Sequence, residues 1–480
     1  MLLALALVYA LASAVLVAYG LHLLVLAGRR WTGRRPPAPA APEPAVWPAV
    51  TVQLPVYDEP DVVERLIDAA CALDYPHLEV QVLDDSPDGP ALERAAARVA
   101  RWRARGVDVG HLRRGTREGF KAGALAHGLA HARGDLLAVF DADFVPAPDF
   151  LRQTVPALAA DPGLGLVQAR WGHLNAGRSG LTRTQAALLD VHFVVEQGGR
   201  DAAGLFLSFN GTAGVWRRAC IETAGGWQAD TLTEDLDLSY RAQLAGWRFR
   251  FLEHVEAPAE LPPTAAAWRR QQARWTKGTA ETARKLLGRL WRAPLPLRVK
   301  VAGTLHLGGF AVYPALLVVV VLHPLLRLAS AGPAAELAWG LAGALGGLAL
   351  GGVAVAHLAA ARALGRGGAR RLLQLPAMLA LPVGLAARNA RAVAEAFAGR
   401  RTPFERTPKA GAALRAPREG WAAEGALALY AAGGAAALLA AGHVPGAAFQ
   451  ALFAAGAATV ALHDRARRRA RPAAPRPAAV

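Results

Sequence analysis

The sequence predicts a mostly parallel α/β domain joined to an α-helical membrane region. From Val50 onward, short apolar strands alternate with helical segments, the pattern of a parallel sheet covered by helices. One long uncharged apolar run precedes this unit, and several more follow it after about Pro294. Arg and Lys gather at the ends of those runs, as on the cytoplasmic flanks of membrane spans.

Residues 2–27 are apolar and uncharged, long enough to cross a hydrocarbon core of roughly 30 Å. The run lacks a basic n-region, exceeds a signal-peptide h-region and is followed by Arg29, Arg30, Arg34 and Arg35. Residues 1–28 are therefore expected to be a retained transmembrane helix whose C-terminal end is cytoplasmic. Residues 29–48, rich in Pro and Ala, suit an extended linker. Residues 49–293 form the soluble unit. AVTVQLPVYDEP reads as a buried strand ending in a turn, followed by a helix from Asp61 and a second strand, LEVQVLDD. Helical sequence from Pro90 to Gly106 leads to a third strand in VDVGHLRR. The helix GFKAGALAHGLAHA comes next, then a fourth strand, DLLAVFDADF, whose last residues are carboxylates. Ligands bind at the carboxyl ends of such strands, so Asp84-Asp85 and Asp141-x-Asp143 should share one crevice.

Residues 294–463 form the second membrane region, with spans expected at 301–326, 337–361, 421–441 and 447–462. Between them, residues 372–397 begin apolar and turn amphipathic at Arg388, Arg391 and Glu395. A crossing there would put the soluble domain and the Arg-rich C-terminus on opposite sides of the membrane. An interfacial or re-entrant segment at 371–410 keeps every basic stretch cytoplasmic, giving five spans in all. Residues 464–480, rich in Arg, Pro and Ala, are expected to be disordered.

The chain carries 54 Lys and Arg against 37 Asp and Glu, a formal charge of +17. Such a balance points to nucleic acid or to an anionic membrane. Its distribution beside apolar runs, without a zinc finger, basic zipper or aromatic RNA-binding motif, decides for the lipid bilayer and against nucleic acid. Cys71 and Cys220 stand alone, which argues against a disulfide framework or a cysteine metal site and fits a reduced compartment.

Four polar motifs carry chemistry. Asp84-Asp85 follows a strand, where a carboxylate can accept hydrogen bonds from a base and ribose; a turn or helix-cap aspartate is the plain alternative. Asp141 and Asp143, two apart on an extended segment, would point the same way, and hard divalent ions take such oxygens together with those of a diphosphate. Glu234 and Asp235 follow Thr233 at a helix start. That arrangement can be ordinary capping, or can offer a carboxylate to remove a proton from an alcohol. Gln271, Arg274 and Trp275 are spaced i, i+3, i+4 and fall on one helix face, suited either to anchoring at a membrane surface or to holding a phosphate and a sugar ring. Lys121 opens a helix near the crevice, or is simply solvated. The runs 168–175 and 209–218 read as polar loops in which glycine lets the backbone approach a ligand, Asn210 and Gly211 among them.

In their order, VLDD, DAD, TED and QQARW resemble the D, DxD, TED and Q(Q/R)xRW signature of family 2 glycosyltransferases of the cellulose-synthase-like group. KAGAL, NGTAGVWRR and QQARW look closest to β-mannan and β-glucan synthases, and the resemblance extends over residues 50–409. It implies a cytoplasmic catalytic domain of the GT-A type, Rossmann-like, in a multi-pass protein of the inner or plasma membrane. It implies donor contacts from Asp84, Asp85, Lys121, Asp141 and Arg274, and Mg2+ or Mn2+ on Asp141 and Asp143. Asp235 would be the general base, supported by Glu234, deprotonating the acceptor hydroxyl as that oxygen attacks the anomeric carbon from the face opposite the diphosphate. Gln271, Trp275, Asn210 and Gly211 would serve the acceptor, Trp275 by stacking. Residues 404–409 resemble in part the mobile loop that covers the donor in processive members. PVYDE departs from the usual PxYNE at Asp58.

The expected activity is inverting, metal-dependent transfer of a hexose from a sugar nucleotide (UDP-glucose or GDP-mannose type) to a growing β-glycan, processive and coupled to export. Single-sugar transfer to a lipid such as diacylglycerol or a polyprenyl phosphate comes second, and Trp275 argues against it. An inactive membrane scaffold comes third, opposed by four intact motifs. No motif assigns an oligomeric state.

Overall fold

The computed structural model describes residues 1–32, 42–400, 402 and 422–469, with the backbone alone at 369–372 and 462–469. The chain opens with α1 (Leu2–Thr32), which runs through Arg29 and Arg30 and so takes the first residues of the expected linker into the helix. Residues 33–41 of that linker lie outside the described residues.

Seven strands build one sheet: β1 (Val50–Val56), β2 (Leu78–Asp84), β3 (Val109–Arg113), β4 (Leu136–Val139), β5 (Leu164–His173), β6 (Gly214–Arg217) and β7 (Arg248–Ala259). Their order is β3-β2-β1-β4-β6-β5-β7. β6 runs antiparallel to β4 and β5, and every other pairing is parallel. Both faces of β1 are covered, so Val50, Val52 and Leu54 are buried along with Thr51 and Gln53. Both polar residues donate across the sheet, Thr51 to Glu79 (2.5 Å) and Gln53 to Gln81 (3.1 Å). Helices α2 (Val63–Cys71), α3 (Pro90–Arg103) and α5 (Phe150–Ala160) share one core, and α4 (Phe120–His131) belongs to the other. Strand order reverses between β1 and β4, the position at which a parallel sheet opens a crevice beyond its carboxyl ends.

Three sequence expectations change within the sheet. β4 stops at Val139, so Asp141 and Asp143 belong to a turn closed by Phe144 N–H donating to the Asp141 carbonyl at 3.0 Å, and not to an extended segment of period two. The run 168–175 is not a loop after a strand: β5 continues to His173, with a register shift at Ala169/Arg170 that lets a polar sequence remain in the sheet. Gly214–Arg217 likewise forms the antiparallel strand β6, paired with β4 and β5.

Between β5 and β6, α6 (Gly180–Asp190) flows through a π-helical turn, Val191–Gln197, into α7 (Gly198–Ala203). This segment packs against α1 through Leu26, Ala27, Val191, Val194 and Val195. Arg30 of α1 also donates two hydrogen bonds of 2.8 Å to Glu253 of β7. After β6 come α8 (Arg218–Thr223), α9 (Glu234–Leu244) and the long α10 (Ala265–Arg292), whose N-cap Thr264 accepts from Ala267 N–H at 3.1 Å.

Among the described residues the remaining α-helices are α11 (Leu297–Leu307), α12 (Val312–Ala329), α13 (Pro333–Ala363), α14 (Gly368–Val383), α15 (Ala386–Phe397), α16 (Ala422–Ala440) and α17 (Val444–Arg469). Five described stretches are long and apolar enough to cross a membrane: Leu2–Thr32, Gly309–Ala329, Pro333–Ala363, Ala422–Ala440 and Val444–Ala461. Residues 301–307, expected at the start of a span, belong instead to α11, because the chain breaks its helix at Gly308. The stretch 372–397 is broken at Gly384-Leu385 into two helices, each shorter than those spans. α17 carries helix through residues 464–469, where disorder was expected; residues 470–480 lie outside the described residues, as do 404–409. α10 packs along α15, and its Arg269 forms a buried 2.8 Å ion pair with Glu424 of α16.

Candidate active site

The cleft beyond β1, β2 and β4 is lined by loops from all three strands, by the N-termini of α4 and α9, and by one face of α10. Lys121, in the first turn of α4, holds these parts together. Its ammonium donates to Asp141 Oδ1 at 2.5 Å and to the Gly211 carbonyl at 2.7 Å, and lies 3.9 Å from Glu234 Oε1. Burial works against its charge, yet Asp141 and Glu234 outweigh burial and hold its pKa above the usual lysine value. The Asp141 amide donates to Thr212 Oγ1 at 3.0 Å, which ties the carboxylate turn to the Asn210–Thr212 loop.

Asp235 stands in the first turn of α9, half-buried, its Oδ1 accepting from Leu236 N–H at 2.8 Å. Burial first, and then the charge of Glu234, push its pKa up to about 7. Burial raises Glu234 as well, against the pull of Lys121. Thr233 occupies the N-cap position but does not cap with its hydroxyl, which instead meets Thr282 of α10 at 3.1 Å. α10 comes this close because of Gly278, where an added Cβ would sit 2.8 Å from the Thr233 nitrogen. That approach brings Gln271, Arg274 and Trp275 to the cleft wall, as their spacing implies. Burial lowers the Arg274 pKa, while Glu234, Asp141, Asp235 and Asp143 all pull it the other way.

Residues 48–278 match the family described as Glycosyltransferase like family 2. The soluble unit is a family 2 glycosyltransferase domain, of the cellulose-synthase-like kind. It is 44% identical over 254 residues to glucomannan 4-beta-mannosyltransferase 7 of Arabidopsis thaliana, a match covering 52% of this chain and 46% of the relative. It is also 44% identical over 248 residues to glucomannan 4-beta-mannosyltransferase 1 of Oryza sativa subsp. japonica, covering 51% and 48%. The chain thus spans about half the length of the curated relatives it matches. A mannosyltransferase of Pyrobaculum calidifontis, solved with GDP-Man and Mn2+, superposes with a TM-score of 0.52 at 23% identity, over 82% of this chain and 100% of that one. The shared fold is the GT-A type.

Within the glycosyltransferase domain, the structure brings together Asp85, Lys121, Asp141, Asp143, Asn210, Gly211, Glu234, Asp235, Gln271, Arg274 and Trp275 in one cleft. Asp84 is the exception among the sequence candidates. Its side chain turns inward, 2.9 Å from His111 Nε2 and 2.8 Å from the Ser86 amide, and does not line the cleft. Burial would raise its pKa, but those hydrogen bonds prevail and hold it below the usual carboxylate value. Asp85 does face the cleft and is gripped through both oxygens by Arg114. The Asn210 side chain is set by the π-helical turn: Gln197 donates to its Oδ1 and its Nδ2 donates to His192, both at 2.8 Å.

Around Lys121 and Arg274 stand four carboxylates, Asp141, Asp143, Glu234 and Asp235, an excess of two negative charges when all are ionised. Among the described residues no cluster of three or more His, Cys, Asp or Glu could hold a metal ion. An ion on Asp141 and Asp143 would take its remaining oxygens from a diphosphate and water, the habit of Mg2+, so both the charge and the donor set fit a divalent cation.

Sequence reasoning missed several cleft residues. Arg117 lies 3.4 Å over the Tyr57 ring and 5.0 Å from that of Phe120, and all three line the cleft. Trp171 lies 6.4 Å from Trp275, centroid to centroid. Backbone torsion marks the same region, since the described non-glycine residues at positive φ are Asp58 (48°), Phe120 (49°) and Ala213 (55°), all in or beside cleft loops. The torsion at Asp58 is compatible with its departure from PxYNE, because Asn and Asp both tolerate this left-handed conformation.

Proposed function

We propose that this protein is a membrane-embedded, inverting hexosyltransferase that adds sugar units from a sugar nucleotide, GDP-mannose foremost, to a growing β-glycan at the cytoplasmic face of an inner or plasma membrane. The observation that carries the reading is Asp235, a carboxylate with a pKa of about 7 in a cleft that also presents Lys121, Arg274 and Trp275. The acceptor hydroxyl oxygen attacks the anomeric carbon while its proton passes to Asp235. The bond from that carbon to the diphosphate oxygen breaks, and Lys121 and Arg274 offset the charge on the leaving diphosphate. Mg2+ or Mn2+, held by Asp141 and Asp143, would supply further neutralisation of the diphosphate when bound.

GDP-mannose is favoured because the plant relatives are named as mannosyltransferases and the archaeal protein was solved with GDP-Man and Mn2+. A sugar acceptor is favoured over a lipid because Trp171 and Trp275 give the far end of the cleft two indole rings, flat surfaces suited to pyranose C–H faces. Five helices long enough to cross the membrane support passage of the product through the same molecule. Asp84 is proposed to act indirectly, by steadying the turn that presents Asp85. The test is to incubate the full-length protein in lipid nanodiscs with GDP-mannose or UDP-glucose and to determine product length and linkage. A β-linked polymer made from GDP-mannose is expected; a singly glycosylated lipid, or no transfer from either donor, overturns the reading.

A further inference from the structure

The cleft has two ends. One lies at β1, β2 and the start of α4, with the Tyr57–Arg117 stack; the other lies where β5, α6 and α10 meet the membrane helices. His173, the last residue of β5, lines that second end together with Trp171, Leu189, Gln271 and Trp275. Its side chain is 3% exposed, and its Nε2 lies 3.4 Å from Oδ1 of Asp190, itself 1% exposed at the end of α6. The other Asp190 oxygen takes a hydrogen bond from Arg366, which comes from the turn joining α13 to α14. A buried imidazole and carboxylate therefore connect the cleft wall to an exposed guanidinium in the turn between α13 and α14. None of the three takes part in the proton transfer to Asp235.

We propose that His173 binds the acceptor sugar, and that Asp190, held by Arg366, positions it; the inference rests on the glycan-synthase reading and deepens it. An ionised carboxylate only accepts hydrogen bonds, so Asp190 favours a proton on the Nε2 that faces it. At 3.4 Å the contact is longer than a settled N–H···O bond, so the carboxylate orients the ring by charge while leaving it room to adjust. Sugars are recognised by two kinds of contact together, an aromatic face under the C–H surface and a polar edge for the hydroxyls. Trp171 and Trp275 supply the first, and His173 supplies the second beside them. Arg366 offsets part of the charge on the buried Asp190 carboxylate.

The experiment uses the full chain in nanodiscs with GDP-mannose and β-1,4-mannotetraose, comparing wild type with His173→Ala, His173→Asn and Asp190→Asn. Tetraose affinity is read without turnover from the intrinsic fluorescence of the cleft tryptophans. His173→Ala should raise the tetraose Kd and acceptor KM about tenfold while the donor KM stays within about twofold, and His173→Asn should recover part of the loss. Asp190→Asn should raise the acceptor KM by a smaller factor and leave the donor KM alone. Unchanged tetraose affinity in His173→Ala, or donor and acceptor KM rising by the same factor in every variant, overturns the proposal. Wild-type protein that polymerises from GDP-mannose but shows these null results leaves the synthase reading standing. Wild-type protein that makes no polymer and binds no tetraose removes both.

Discussion

Gly211 stands against Asp235 so closely that a Cβ on the glycine would sit 2.9 Å from the carboxylate Oδ2 and 3.3 Å from the Lys121 ammonium. The same glycine has φ +82°, and its carbonyl accepts from Lys121. A methyl there would push on the proposed base and strain the backbone by roughly 1–2 kcal/mol. Gly211→Ala is expected to lower kcat by about tenfold or more, since sub-ångström misplacement of a reacting group is costly. Steady-state kinetics of the variant, with donor binding measured alongside, checks this; unchanged kcat would show that Asp235 does not need that space.

The raised pKa of Asp235 sets a pH dependence for both rate and stability. As a base it must be ionised, so kcat/KM should climb with pH and level off above about 7. The folded pKa lies above the ordinary 3.8, so between those values the folded chain binds the extra proton. This carboxyl therefore favours folding most at low pH, and its contribution is lost as pH rises through about 7. Asp235→Asn removes the loss. The variant should be slower by roughly a hundredfold or more yet resist heating better than wild type at pH 8. A pH–rate profile that is flat from pH 5.5 to 8.5 would contradict the assignment.

Divalent ion removal gives a separate test. With Asp141 and Asp143 as the proposed ligands, excess chelator should abolish transfer, and added Mg2+ or Mn2+ should restore it. Asp143→Asn should need a much higher ion concentration for half-maximal rate. Undiminished transfer in chelator would mean that Lys121 and Arg274 suffice for the diphosphate.

Trp275 separates a polymerase from a single-sugar transferase. Trp275→Ala leaves Asp235, Asp141 and Asp143 in place but removes one of the two indoles at the proposed acceptor end. Chain extension should fail while donor hydrolysis to water continues, and Trp275→Phe should make shorter chains than wild type. Product-length analysis with one donor decides the matter. If every variant yields the same singly glycosylated lipid, the acceptor is not a glycan.

Much of this site was legible because its chemistry sits where parallel strands end. Asp85, Asp141 and Asp143 follow strands in the sequence, and Lys121 and Asp235 open helices. The spacing of Gln271, Arg274 and Trp275 predicted their common face. What stayed hidden depended on backbone geometry that residue types do not announce. The turn after Val139 replaced an extended segment, and only the fold separates inward Asp84 from outward Asp85. The polar string QARWGH did not read as a strand, so Trp171 and His173 went unassigned although both lie in it. In the membrane region, apolar sequence ran on across Gly308, where the helix does not.

The ion pair between Arg269 and Glu424 bears on how such an enzyme could be dismantled or recombined. α10 supplies Gln271, Arg274 and Trp275 to the cleft, yet its opposite sides rest on α15 and, through Arg269, on α16. A fragment cut near residue 293, where the composition changes, would keep the proposed donor half intact while stripping the proposed acceptor half of its support. The seam along which the molecule divides into exchangeable parts therefore runs through the cleft itself. A chimera that trades β1 to β4 and their loops should alter the choice of donor, whereas one that trades the acceptor must carry α10 together with the membrane helices that hold it.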